Sequence, residues 1–382
     1  MPASPPPSAS VVIIGGGVMG LSTAYHLARA GVRDVVLLDR GSLGSGSTCK
    51  AAGGVRAQFS DPVNIALGAR SLETFADFPR RFGQEIDFRR VGYLFLLDDP
   101  ADVAAFEANV ARQNDLGIPS RMIGVADARR LSPLIRTDGL LAAVFSPTDG
   151  HCTPESVVLG YATAARRFGA TLVPHCAATG LEMRDQEITG VRTEAVTIRT
   201  STVVCAAGAW SAEVGAWAGV DLPVTPLRRQ ILTTGPVAGL DPDTPFTIDF
   251  GTTFYFHGEG RGVLLGMSDP DETPGFRTDR SDAWLPRLGE AVERRAPALA
   301  EVGVAGGWAG LYEMTPDHNA LIGRSGGFLY ATGFSGHGFL MGPAVGEVMR
   351  DLYLRRTPFA DVTGLSADRF AEAAVRPELN IV

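Results

Sequence analysis

Apolar and polar positions along this chain follow two rhythms, one of strands and one of helices. Residues 11–14 read Val-Val-Ile-Ile and predict a strand that runs straight into a glycine turn at 15–20. Leu21, Ala24, Leu27 and Ala28 then recur at helical spacing until Gly31 stops the helix. A second apolar run at 35–38 ends in Asp39. Farther on, Ile65, Leu72, Phe75 and Phe78 form an apolar stripe that predicts a helix over 63–82. The pattern predicts a strand at 91–97, a polar-faced helix at 101–116, another helix at 155–168 and a short strand at 170–173. Short runs with charged turns over 180–198 predict an antiparallel excursion. Residues 202–208 form a buried strand leading into a small-residue turn, and a helix opens at Ala209-Trp210-Ser211. The stretch 223–268 is strand-rich with Pro and Gly breaks, and 281–296 is helical. Finally, a strand at 327–332 runs into a glycine-rich turn at 333–342 and a helix over 343–354.

Strand, glycine turn, helix, strand and terminal acid, in that order, are the βαβ fingerprint for the ADP half of a dinucleotide. Gly15 permits the tight turn, Gly17 lets the backbone approach the pyrophosphate, and Gly20 lets helix and strand pack closely. Val18 and Met19 open the helix, whose unpaired N–H groups and positive dipole end suit phosphate. Asp39, followed by Arg40, stands where a carboxylate can accept from ribose hydroxyls, which favours FAD or NAD over NADP. Pieces of this type at the start, middle and end of the chain are interrupted by strand-rich blocks. We expect an α/β fold with a discontinuous Rossmann-type domain over 10–84, 148–222 and 304–382. An α+β substrate domain with a mainly antiparallel sheet is expected over 85–147 and 223–303, and residues 1–9 read as a flexible tail.

Composition narrows the class. A chain of 382 residues with 45% hydrophobic and 20% charged residues is globular and long enough for two domains. A net charge of −8 argues against nucleic acid or an anionic membrane as partner. Four scattered cysteines without CxxC spacing point to reduced thiols and a cytoplasmic setting. The first ten residues lack the features of a signal peptide, and no run of about 18 apolar residues occurs. His151 and Cys152 are adjacent, but no further ligands stand at metal-binding spacing. Lys50 is the only lysine.

Five motifs together resemble the D-amino acid oxidase and sarcosine oxidase group of FAD enzymes, over nearly the whole chain. They are the 15–20 turn with Asp39, Ser47-Thr48 followed by Ala-Gly-Gly54-Val-Arg56, the stretch 203–211 with Gly208 and Trp210, Thr315-Pro-Asp317, and Gly333-Phe-Ser-Gly336-His337-Gly338. The last motif is similar to the sarcosine oxidase branch, and residues 54–59 are also similar to β subunits of dye-linked proline dehydrogenases. The resemblance implies FAD with its adenine half at the N-terminal turn and its isoalloxazine between the domains. It implies hydride loss from the carbon next to an amine, giving an imine that water hydrolyses. Such a glycine turn, leading from strand into helix, can present N–H groups to the flavin edge where negative charge gathers on reduction.

By the same resemblance Arg56 matches an active-site arginine and is expected at the substrate carboxylate or the flavin edge. Tyr312 is expected to wall the substrate cavity, and His337 to hydrogen-bond substrate or shape the field. Three positions depart from the pattern. Gly310 stands where monomeric sarcosine oxidases attach FAD to cysteine, so non-covalent FAD is expected. Leu264 replaces a flavin-facing lysine linked to oxygen use, and Leu340 replaces a lysine that helps hold the carboxylate. Lys50, in the flavin-side loop, is the candidate for the missing charge. The expected reaction is oxidation of a small secondary amino acid such as sarcosine, another N-alkyl glycine or proline, with oxygen or another carrier as acceptor. Deamination of glycine or a D-amino acid, and an electron-transfer or assembly subunit with partner subunits or a homo-oligomer, are the alternatives.

Overall fold

The computed structural model describes residues 5–371 and 376–381. Strand Val11–Ile14 lies inside a six-stranded sheet and is buried at every position, which is why its sequence is apolar throughout rather than alternating. It pairs in parallel with Val35–Leu38 on one side and Val203–Cys205 on the other. Thr171–Val173 extends the sheet beyond Val35–Leu38, while Phe328–Thr332 and the antiparallel Leu321–Ser325 extend it beyond Val203–Cys205. The chain therefore changes direction across the sheet at Val11–Ile14, and a crevice opens beyond the C-terminal ends of these strands.

Helix Val18–Arg29 covers this sheet and packs against helix Gly338–Tyr353. Glycines set how closely the two approach. A Cβ at Gly342 would lie 2.5 Å from Val18 Cγ2, and one at Gly346 would lie 2.1 Å from Ser22 Oγ. Val345 and Val348 join Leu21, Ala24 and Leu27 in the core beneath.

A second, eight-stranded sheet runs in the order Val304–Met314, Thr225–Thr234, Gly262–Gly266, Phe254–Glu259, Phe246–Asp249, Tyr93–Leu97, Ala142–Ser146, Arg121–Ile123. All its pairings are antiparallel except Phe246–Asp249 with Tyr93–Leu97. Helix Leu285–Arg295 covers one face, with Leu288 and Val292 packed on Phe254, Phe256 and Leu265. Beneath that helix, Arg295 Nε donates to Asp249 Oδ1 at 2.7 Å, both side chains fully buried. The excursion near 180–198 forms a separate antiparallel sheet of Ala178–Arg184, Glu187–Thr193 and Thr197–Arg199.

This α/β architecture, Rossmann-type sheet plus mainly antiparallel sheet, matches the fold class expected from the sequence. Details differ. Residues 304–314, grouped by sequence with the dinucleotide-binding unit, instead form the outer strand of the eight-stranded sheet. The stripe at 63–82 gives two helices, Pro62–Ala76 and Phe78–Phe82, because Pro79 cannot donate a backbone bond inside one continuous helix. The last helix starts at Gly338 rather than 343, with Pro343 inside it. Packing against Val18–Arg29 outweighs the bond that Pro343 removes. Of the expected tail, residues 1–4 lie outside the described residues. Ser8 bridges to Arg199, and Ala9 N–H donates to the Arg199 carbonyl at 2.9 Å, so that part is held in place. Among the described residues no helix is long and apolar enough to cross a membrane.

Candidate functional site

A cavity of about 640 Å³ leads from the ends of the parallel strands to the face of the eight-stranded sheet opposite helix Leu285–Arg295. Gly15, Gly17, Val18 and Met19 line its first end. Gly15 adopts φ +113°, and a Cβ there would sit 2.1 Å from the Ala206 carbonyl oxygen, so the turn requires glycine. Helix Val18–Arg29 begins at the wall with no side chain capping it, leaving its first N–H groups for a ligand. Val18 N–H is the exception and donates to Thr48 Oγ1 at 3.0 Å. Asp39 also lines this end; its oxygens accept from Gly16 N–H at 2.6 Å and Gly41 N–H at 2.7 Å. Burial raises its pKa, and those two amides oppose the rise. Each carboxylate oxygen keeps acceptor capacity for a further donor.

The Arg40 guanidinium covers the Trp210 ring at 4.1 Å, both on the wall. Ser47, Thr48 and Gly208 continue the wall, and the Ser47 hydroxyl donates to the Leu311 carbonyl at 2.6 Å. Two expected cofactor residues are off the wall. A Cβ at Gly20 would lie 1.9 Å from the Gly15 carbonyl oxygen, so Gly20 serves helix packing. Gly333 (φ +70°) lies against Thr315, where a Cβ would approach Cγ2 to 2.5 Å.

At the far end, Arg56 is buried and donates to the carbonyls of Gln58 and Asn380. Its guanidinium lies on the Phe59 ring at 4.2 Å, and Nη2 is 3.2 Å from His337 Nε2. Arginine has no acceptor, so His337 Nε2 accepts and its proton sits on Nδ1. Burial first, and the Arg56 charge second, hold the His337 pKa well below its ordinary value. Burial also pulls Arg56 down, opposed by Tyr93, Glu378, Asp149 and Tyr312. His337 precedes helix Gly338–Tyr353, so a second helix N-terminus, with Gly336 and Gly338, meets the cavity here. A Cβ at Gly336 would lie 2.4 Å from Tyr312 Cε2; the glycine lets the half-buried Tyr312 ring lie on the turn. Gly54 likewise admits the Tyr93 hydroxyl, 1.8 Å from where its Cβ would be.

Lys50 borders the cavity but is exposed. Its carbonyl accepts from Trp308 Nε1 at 3.0 Å, and a Cβ at Gly310 would lie 2.6 Å from its own Cβ. Leu340 is on the wall. Leu264, expected to face the cofactor, is buried opposite Thr233 and His257 and does not line the cavity. Sequence reasoning missed Tyr93, Arg229, Tyr255 and Glu313, all lining residues. Burial raises the Glu313 pKa, opposed by the Thr332 hydroxyl, which donates at 2.8 Å, and by the amides of Gly333 and Phe334.

These residues fit FAD. An uncapped helix start at a glycine turn suits the pyrophosphate, and the Asp39 carboxylate with spare acceptors suits ribose hydroxyls. The wall then continues past Gly208 to a second helix start and a buried guanidinium. No group of three or more His, Cys, Asp or Glu among the described residues could hold a metal ion.

The family described as FAD dependent oxidoreductase (DAO) matches residues 10–352. The chain is 31% identical to mitochondrial dimethylglycine dehydrogenase of Mus musculus, over 97% of this chain and 46% of that protein. It is 26% identical to 4-methylaminobutanoate oxidase (formaldehyde-forming) of Paenarthrobacter nicotinovorans, over 96% of this chain and 46% of that enzyme. It thus spans about half the length of these curated relatives. The crystal structure of L-proline dehydrogenase from P. horikoshii superposes with a TM-score of 0.91 at 32% identity, covering 97% of this chain and 100% of that one.

Proposed function

Because the chain belongs to the DAO family of FAD dependent oxidoreductases, we propose that it oxidises the C–N bond of a small secondary amino acid. Proline, sarcosine and other N-alkyl glycines are the candidate substrates, and the imine formed is hydrolysed by water. The observation that carries this reading is the convergence of Arg56, His337 and Tyr312 on one buried end of the cavity, opposite the dinucleotide turn. The fixed charges of Arg56 and Arg229 on that wall suit a carboxylate, and a neutral, desolvated histidine beside them suits an uncharged amine. The relative named for proline, a secondary amino acid, supports the same choice, and the one named for dimethylglycine, a tertiary amine, supports N-alkylation more broadly.

FAD, when bound, supplies the acceptor for the hydride. Gly15, Gly17, Val18, Met19, Asp39 and Arg40 hold its adenosine and phosphate half. Ser47, Thr48, Gly54, Gly208, Trp210, Gly336 and Gly338 hold the remainder, without a covalent link. An amine of pKa about 10 must lose its proton before hydride departs, which costs about 4 kcal/mol near pH 7. Arg56 and buried walls lower that cost by disfavouring a second cation in the same space. His337 keeps its Nε2 lone pair on Arg56 and so does not compete for the amine proton. Leu264 stands where the resemblance places a lysine linked to oxygen use, and the lack of that cation supports a carrier other than oxygen as the acceptor.

The test is anaerobic bleaching of the purified flavoprotein by sarcosine, N-ethylglycine, dimethylglycine, proline, glycine and D-amino acids. Bleaching by the N-alkylated members, with slow recovery in air, is expected. Bleaching by glycine or D-amino acids alone would overturn the substrate class.

A further inference from the structure

Two arginines reach the far end of the cavity, and their surroundings differ. Arg56 is already engaged: Nη1 donates to the Gln58 carbonyl, and Nη2 donates to the Asn380 carbonyl and His337 Nε2. A carboxylate arriving at those nitrogens would have to displace partners that fix the wall.

Arg229 is in the opposite condition. It lies on strand Thr225–Thr234, on the same face as Ile231, and both line the cavity. Gly310 is its cross-strand partner, so no side chain stands opposite it. The Arg229 guanidinium reaches the Tyr312 ring, 5.4 Å from its centroid. Among the described residues its only hydrogen bond is from Nη1 to the Arg228 carbonyl at 3.2 Å. Nε is buried and has no partner. Arg228, its neighbour in sequence, points to the other face and is taken up by Glu272 at 2.7 Å and Asp279 at 3.2 Å. A buried donor left unpaired is costly, and natural interiors rarely tolerate one without a role. The unpaired edge of Arg229, Nε with Nη2, is the fork that matches a carboxylate with two parallel bonds.

Resting on the amine-oxidation reading above, we propose that Arg229, rather than Arg56, takes the α-carboxylate of the substrate. Arg229 is then the specificity residue that separates amino acids from simple amines, and Arg56 is the positioning partner of His337.

The experiment titrates tetrahydrofuran-2-carboxylate, the oxygen counterpart of proline, into purified holoprotein and follows the flavin spectrum. Proline and pyrrolidine, which lacks the carboxylate, are compared in anaerobic bleaching. In Arg229→Met, which keeps the side-chain stem, affinity for the carboxylate should fall about thirty-fold or more. The preference for proline over pyrrolidine should shrink by a similar factor, with pyrrolidine bleaching changed far less than proline bleaching and with no drop in FAD content or melting temperature. Arg229→Lys restores the charge but not the fork and should recover only part of the affinity. Should Arg229→Met fail to fold, Arg229→Lys and Arg229→Gln give the same reading. Wild-type affinity in the Arg229 variants, with loss in Arg56→Met, would overturn the assignment. If no amine bleaches the wild-type flavin, the amine-oxidation reading fails, and the carboxylate titration still decides the role of Arg229.

Discussion

Arg56 Nη2 and His337 Nε2 meet at 3.2 Å although the two residues stand 281 positions apart. One comes from the loop after strand Gly54–Val55, the other from the turn before the last helix. The contact dictates the His337 tautomer, because only the histidine can accept. We expect nitrogen NMR of the histidine rings to show His337 neutral, with Nε2 unprotonated, at pH 6.5, where an ordinary histidine is half protonated, and above. Protonation within that range would mean that Arg56 points elsewhere. His337→Leu, which leaves one Arg56 donor unpaired, should cost about 1–3 kcal/mol in urea unfolding, and His337→Gln less.

The contact between Gly310 and Lys50 gives a second prediction. A side chain at 310 meets the Lys50 Cβ at 2.6 Å, so Gly310→Cys should destabilise by about 1–3 kcal/mol through overpacking. Lys50→Gly should relieve most of that cost. Acid precipitation of the wild-type protein should release all the FAD into the supernatant; yellow protein in the pellet would overturn the non-covalent assignment.

Asp39 organises the phosphate turn as well as facing the ribose. Replacing it with alanine leaves the Gly16 and Gly41 amides without their acceptor. Stability of the FAD-free protein should drop by about 1–3 kcal/mol, with FAD affinity falling as well. Asp39→Asn, which keeps one acceptor, should lie between. An alanine variant with unchanged apoprotein stability would assign Asp39 to the cofactor alone.

Asp149 is fully buried behind Arg56, and its Oδ2 has no partner among the described residues. Burial raises its pKa from 3.8 to about 7, although Arg56 opposes the rise. Between those values the unfolded chain has released the proton that the folded protein keeps. Its contribution to stability is therefore full below about pH 4 and is lost as pH rises to about 7. The loss is on the order of 4 kcal/mol. Asp149→Asn should remove that slope, so the gap between variant and wild type should open from pH 4 to pH 8 in denaturant titrations. A constant gap would show that Asp149 ionises normally.

The Arg295–Asp249 pair is sealed between helix Leu285–Arg295 and the sheet. Asp249→Ala leaves the buried Nε of Arg295 unpaired, with Asp98 at 3.4 Å as the remaining counter-ion, and should cost about 1–3 kcal/mol. A loss below about 1 kcal/mol in urea unfolding would mean that water reaches Arg295.

The dinucleotide turn was legible in the sequence because its parts lie within 39 residues and obey local stereochemistry. Gly15 must take positive φ, Gly20 must let the helix approach, and Asp39 must end the second strand, whatever the rest of the chain does. Buried parallel strands announced themselves as unbroken apolar runs for the same local reason. Element edges were less legible. The start of the last helix at Gly338 depends on glycine contacts with Val18 and Ser22, more than 300 residues away, and no local pattern carries that.

Arg228 and Arg229 mark the limit most clearly. In sequence they are identical neighbours in a strand-rich stretch, and alternation states only that they face opposite sides. Which side meets the cavity depends on the pairing of Thr225–Thr234 with Val304–Met314 and on what covers each face. Tertiary structure sends Arg228 to Glu272 and Asp279 and leaves Arg229 facing the cavity with Nε unpaired. The same holds for Asn380, whose carbonyl reaches Arg56 across 324 positions. The sequence by itself determined the dinucleotide turn and the strands around it, because short-range geometry specifies them. The far wall was decided only by tertiary structure, because distant segments meet there and each side chain's role depends on which partners are left for it.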